Sequence, residues 1–164
     1  MELSLPDEAA TQRLGAALAA STPDLRRHSL LLALQGELGT GKTTLARGLL
    51  RALGVEGTIR SPTFTLVEPY ETPAGTVHHL DLYRLQGAPS ELDALGYRDQ
   101  RGEPGLVIVE WPERGGAALG AADLKVLIEH RPVGRQVMIE ALTDAGKAWR
   151  SALRYGRIQL KNLN

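Results

Sequence analysis

The 164-residue chain is 43% apolar, which suits one domain around a real core and excludes a disordered polymer. Its 19 Lys and Arg balance 19 Asp and Glu, giving no net charge, so the basic excess of a free-standing nucleic-acid binder is missing. There is no cysteine, which excludes a disulfide framework, a thiolate nucleophile and a zinc–cysteine site; no leader pattern or membrane-spanning apolar segment is read either, so the expected location is the cytoplasm, away from any membrane.

In chain order, Asp7 to about Ala20 is predicted to be a helix, because Ala10, Leu14, Ala17 and Leu18 recur at helical spacing and Asp7 can cap it. A loop with Pro23 leads to the continuous apolar run Ser29–Leu34, which suits a strand buried on both faces. A glycine-rich turn follows, then a helical pattern from Lys42 to about Leu53, ended by Gly54. Thr63–Val67 and Thr76–Tyr83 are expected strands, with Pro73-Ala74-Gly75 turning between them. Ser90–Leu95 reads as a short helix capped by Ser90, and Gly105–Trp111 as a second fully apolar strand. Leu124–His130 and Arg135–Leu142 read as an antiparallel hairpin, and Asp144 to about Leu153 as a last helix. The expected organisation is one domain over residues 1–155, with 156–164 a flexible C-terminal tail.

Gly36-Glu37-Leu38-Gly39-Thr40-Gly41-Lys42-Thr43 matches G-x-x-x-x-G-K-[ST] at each fixed position, between a predicted strand and a predicted helix. The chemistry accounts for the residue types. Glycines let the backbone turn sharply and bring N–H groups to phosphate oxygens, and the helix start adds oriented donors. Lys42 would neutralise the β- and γ-phosphates, and the Thr43 hydroxyl would bind Mg2+, with Thr44 next in the helix. A nucleoside triphosphate and Mg2+ are therefore the expected ligands.

Such a loop needs a second metal anchor at the end of a neighbouring strand. Leu106–Glu110, four apolar residues ending in an acid, has that shape, and Glu110 is assigned to the metal shell; an exposed carboxylate at a strand end is the competing account. Asp81, in His78-His79-Leu80-Asp81-Leu82-Tyr83, is assigned to orienting water; a helix cap or a partner for Arg84 competes. Which acid contacts magnesium directly stays open. His78 and His79 are adjacent, so they face opposite sides of a strand and cannot chelate one metal together, which leaves each a structural or surface role. Ser61 and Thr63 could carry hydroxyls toward a γ-phosphate, or simply sit on a turn fixed by Pro62. Trp111 is either an edge filler of the core or an anchor for a partner.

With these residues in place, the chain resembles the TsaE (YjeE) family of tRNA threonylcarbamoyladenosine biosynthesis ATPases. The resemblance runs from about Leu5 to Leu142 and rests on LPDEAATQRLG, GELGTGKTTLARGLL, SPTFTLVEPY, HLDLYRL with ELDALGYRD, and VIVEWPERG, in that order. It implies an α/β, P-loop NTPase-like mixed sheet flanked by helices. It also implies a magnesium-dependent ATPase, weak alone, that acts with TsaB and TsaD in modifying adenosine 37 of tRNAs reading codons that begin with A. Such a subunit is not itself the transferase, and tRNA would be met only through the complex, in keeping with the neutral charge. By position, the resemblance implies that Lys42 and Thr43 belong to the phosphate loop, Glu110 to the magnesium site and Asp81 to the catalytic region. It ties Trp111 to activity and places Thr11 near the nucleotide base.

Two other functions fit a phosphate loop. A small-molecule kinase would need an arginine-bearing lid, for which Arg98 and Arg101 are the candidates, diluted by Asp99 and Glu103. A non-hydrolysing nucleotide switch would have less need of Asp81 and Glu110.

Overall fold

The apolar run at Ser29 becomes the central strand of a seven-stranded sheet, with neighbours parallel to it on both sides. The computed structural model describes residues 1–155; the expected tail, 156–164, lies outside the described residues. Its strands are β1 (Glu2–Leu5), β2 (Ser29–Gln35), β3 (Val67–Thr72), β4 (Gly75–Asp81), β5 (Gly105–Glu110), β6 (Leu124–His130) and β7 (Arg135–Ala141). The helices are α1 (Glu8–Ser21), α2 (Lys42–Ala52), α3 (Pro89–Ala94), α4 (Tyr97–Gly102) and α5 (Asp144–Tyr155), with a 3-10 segment at Pro112–Leu119.

The sheet order is β1-β7-β6-β2-β5-β4-β3. The strands β4, β5, β2 and β6 run parallel, and β3, β7 and β1 add antiparallel edges. Because side chains alternate along a strand, β2 feeds two cores. Leu30, Leu32 and Leu34 pack with Leu14, Leu18, Leu45, Leu49 and Trp149 of α1, α2 and α5. Leu31 and Ala33 pack with Leu80, Leu92, Tyr97, Val107 and Val109 on the opposite face. A strand buried on both sides has no polar face to show, which is why its sequence reads as unbroken hydrophobicity.

On the first face α1 and α2 approach closely through Gly15 and Gly48, where a Cβ would overlap the backbone of the other helix. Asp7 caps α1, its carboxylate accepting from the Ala10 amide at 2.7 Å. The fully buried Trp149 ties α5 to α1, donating from Nε1 to the Leu18 carbonyl at 3.0 Å. Asp123 joins two segments: it accepts from the Leu31 amide at 2.8 Å and from the Thr143 hydroxyl at 2.5 Å.

Three expected boundaries are corrected. Thr63–Leu66 is a turn and not a strand: the Leu66 amide returns to the Pro62 carbonyl at 2.7 Å and Leu66 takes φ 65°, so extended chain begins only at Val67. Ser90 does not cap α3. Pro89 already occupies its first turn, Ala88 is the cap, and Glu91 accepts the Ala88 amide at 2.9 Å. Strand β5 stops at Glu110 because Trp111 is left-handed, φ 58°.

Candidate nucleotide and metal site

Parallel pairing sets the stage. Asp81 lies opposite Glu110 across β4 and β5, and Leu34 lies opposite Glu110 across β2 and β5. The carboxyl ends of three strands are therefore level, and the Gly36–Thr43 loop springs from the middle one, the place where ligands bind open α/β sheets.

The loop is shaped by residues that tolerate positive φ. Gly36, Gly39 and Gly41 stand at φ 149°, 75° and 107°. At Gly36 a side chain would overlap the Ile128 carbonyl, so the loop lies directly on β6. Helix α2 starts at Lys42, and the opening turn of a helix has no intrahelical acceptors for its amides, so those of Lys42, Thr43 and Thr44 are available to an anion. The hairpin of β6 and β7 holds the loop from outside. Arg135 donates from Nε to the Thr40 carbonyl at 3.0 Å and from Nη2 to the Gly39 carbonyl at 3.2 Å. His130 Nε2 lies 3.1 Å from the Leu38 carbonyl. Thr40 adds its hydroxyl to the Glu37 carbonyl at 2.9 Å.

Lys42 is only 5% exposed. Its ammonium donates to the Gly36 and Glu37 carbonyls at 2.7 and 2.8 Å and lies 3.9 Å from the Trp111 ring centroid. Burial pushes its pKa below the ordinary lysine value, and the charges of Glu110, Asp81 and Glu113 push back. The left-handed turn after β5 lays Trp111 under this ammonium, where the face of the indole attracts a cation, and Tyr83 packs against it at 4.9 Å between ring centroids. Half-buried, Trp111 packs at the edge of the second core, as the filler reading expects, and also touches the loop lysine.

The acids are held by different partners. Glu110, 2% exposed, accepts the Thr43 hydroxyl at 3.0 Å on Oε2, and its Oε1 is 2.9 Å from Nε2 of the fully buried His79. Asp81, 4% exposed, accepts the Tyr83 amide at 2.9 Å and the Thr63 hydroxyl at 3.1 Å; Ser61 and Thr63 hydroxyls are 2.6 Å apart. The turn at Pro62 is present, and it directs the Thr63 hydroxyl to Asp81. Hydroxyl and carboxylate oxygens converging at Thr43 and Glu110 make a hard, oxygen-only donor set, which suits magnesium shared with a phosphate. No cluster of three His, Cys, Asp or Glu able to hold a metal alone occurs among the described residues.

Thr11 is buried, its hydroxyl satisfied by the Asp7 carbonyl at 3.2 Å. With Asp7, Gly39, Gly41, Thr44 and Arg135 it lines a cavity of about 260 Å³ beside the loop. Glu37 and Leu38 lie on the exposed outer rim. The arginines proposed for a kinase lid are elsewhere. Arg101 donates to the Ser29 hydroxyl at 2.9 Å, at the opening of β2, about 20 Å of strand from the loop, and Arg98 pairs with Asp93.

Sequence reading missed three contributors. His79 carried a signal: two positions before Asp81 on a strand, it shares that acid's face. Its neighbour His78 points the other way, as expected, with burial lowering its pKa against Glu71 and Glu103. Arg135 and His130 carried none, since only the folded hairpin brings them to the loop.

Comparison with known proteins agrees with this geometry. The family model described as "Threonylcarbamoyl adenosine biosynthesis protein TsaE" matches residues 5–137. A Haemophilus influenzae protein named tRNA threonylcarbamoyladenosine biosynthesis protein TsaE is 38% identical over 87% of this chain and 90% of its own length. A Synechocystis protein of the same name is 45% identical over 70% of this chain and 71% of its own. The crystal structure of Bacillus subtilis YdiB superposes with a TM-score of 0.76 at 23% identity, covering 96% of this chain and 95% of that one, a likeness of fold. A mixed sheet of P-loop NTPase type, a phosphate loop beside two strand-end acids, and these matches over most of the chain lead to one conclusion: the chain belongs to the TsaE family of tRNA threonylcarbamoyladenosine biosynthesis proteins.

Proposed function

We propose that residues 1–155 form one magnesium-dependent ATPase domain that works in the cytoplasm with TsaB and TsaD while the threonylcarbamoyl group is placed on adenosine 37 of tRNAs reading codons that begin with A. The observation that carries this reading is the Thr43–Glu110 contact of 3.0 Å at the mouth of the loop, with Asp81 one strand away in register. A protein that only bound nucleotide would have little use for two buried acids there.

ATP is the substrate, its β- and γ-phosphates on the loop amides and Lys42, and its base end toward the Thr11 cavity. Thr43 and Glu110 would hold magnesium, which would neutralise phosphate charge as the γ-phosphoryl group leaves for water. Asp81 orients the attacking water and takes up its proton, steadied by Thr63 and by the Tyr83 amide. Lys42 sits over Trp111 with its ammonium already buried, so little solvent must reorganise as charge develops on the transferred group. With neither Arg98 nor Arg101 near the loop, the kinase reading loses its lid.

The test is hydrolysis of ATP by the chain alone and with TsaB and TsaD added. A slow rate that rises with both partners supports the proposal. Equal rates refute it, and transfer of phosphate to an added metabolite would restore the kinase reading.

A further inference from the structure

His79 is 0% exposed, and its Nε2 is 2.9 Å from Glu110 Oε1, yet its Nδ1 has no hydrogen-bond partner among the described residues. The unpartnered nitrogen indicates the tautomer. A proton on Nδ1 would leave a buried donor without an acceptor, and in that tautomer the bare lone pair of Nε2 would face the Glu110 carboxylate, acceptor against acceptor. The proton therefore sits on Nε2 and is donated to Glu110. The strand register enforces the pairing, since His79 shares a sheet face with Asp81, and Asp81 is the lateral neighbour of Glu110.

The two oxygens of Glu110 thus have separate duties. Oε1 is committed to His79, and Oε2 faces the Thr43 hydroxyl. We infer that His79 is a positioning residue for the metal: by holding one carboxylate oxygen it fixes the plane of Glu110 and presents Oε2 alone to the magnesium shell. The inference rests on the reading of Thr43 and Glu110 as the metal anchors. Partners that orient a liganding group in this way matter for metal affinity, and their loss typically weakens it tenfold to a hundredfold.

The experiment compares two substitutions of similar chemistry and different reach. His79→Gln places an amide nitrogen about where Nε2 lies, whereas the amide of His79→Asn stops near the position of Nδ1, short of Glu110. Affinity for a non-hydrolysable ATP analogue is measured by calorimetry with excess magnesium and again with EDTA, after circular dichroism confirms folding. The ratio of the two affinities isolates the contribution of the metal. The expected result is that His79→Gln keeps most of that ratio. His79→Asn lowers it about tenfold and binds as wild type in EDTA. Equal ratios in the two variants overturn the inference, and so does a loss in EDTA as large as that in magnesium, which a merely structural role would produce. Wild-type protein whose affinity ignores magnesium overturns the metal reading itself and this inference with it. Nitrogen NMR of the wild type provides a check that needs no substitution. A protonated Nε2 and bare Nδ1 on His79, unchanged by magnesium and nucleotide, are expected, and a protonated Nδ1 would contradict the assignment.

Discussion

Replacing Arg135 with alanine isolates the support given to the phosphate loop from outside. The guanidinium makes two hydrogen bonds to loop carbonyls, to Thr40 at 3.0 Å and Gly39 at 3.2 Å, and a third to its neighbour Gly134. A hydrogen bond to a charged group contributes about 1.5–3 kcal/mol, and the partial exposure of this side chain argues for about half the lower figure. The two loop bonds then amount to about 1.5 kcal/mol, which is about tenfold in the affinity of any ligand that needs the loop ordered. Calorimetry with ATP analogue and magnesium should show Arg135→Ala binding about tenfold more weakly, while the melting temperature moves little because β7 keeps its ladders to β1 and β6. Arg135→Lys should recover only part of the loss, since an ammonium lacks the planar fork that reaches both carbonyls. Wild-type affinity in Arg135→Ala would refute the reasoning.

Other changes probe the remaining parts of the site. Glu110→Gln keeps the shape and an acceptor for His79 but removes the charge, so partner-stimulated hydrolysis should fall by about a hundredfold in steady-state assays with the fold intact; an unchanged rate would remove Glu110 from the metal shell. Lys42→Met should abolish nucleotide binding, and its stability relative to wild type should depend on pH. Because burial holds Lys42 below its ordinary value of 10.5, the unfolded chain binds more protons between the lowered pKa and that value. Wild-type stability therefore gains on the Met variant as pH rises through that window, a trend that paired melting curves would read and that a flat difference would contradict. Gly48→Ala forces a methyl group into the Gln12 carbonyl and should destabilise the fold by about 3 kcal/mol in denaturant titrations, a figure that a neutral result would exclude.

The parts that could be read from sequence share a physical cause. Ser29–Leu34 and Leu106–Val109 announced themselves because strands buried on both faces need unbroken hydrophobicity, and each led directly into functional residues. The loop was legible because its glycines, lysine and threonine answer local requirements of backbone and charge. The turn at Thr63–Leu66 was misread since Thr and Phe favour strands on average, whereas here Leu66 adopts φ 65° and the turn directs Thr63 to Asp81. Strand β1 escaped notice at four residues, having no period long enough to detect. Arg135 and His130 lie almost a hundred positions from the loop they hold, and nothing local in the chain records that meeting.

For this site to work as proposed, a nucleotide's triphosphate tail must seat between the amides of the loop and Lys42, with magnesium at Thr43 and Glu110. Titrating ATP into the purified protein in a calorimeter, with magnesium and then with EDTA, addresses that most directly. One molecule bound per chain, more tightly with the metal than without it, is the result expected. Absence of heat from ATP, with magnesium present and the protein shown to be folded, would contradict it.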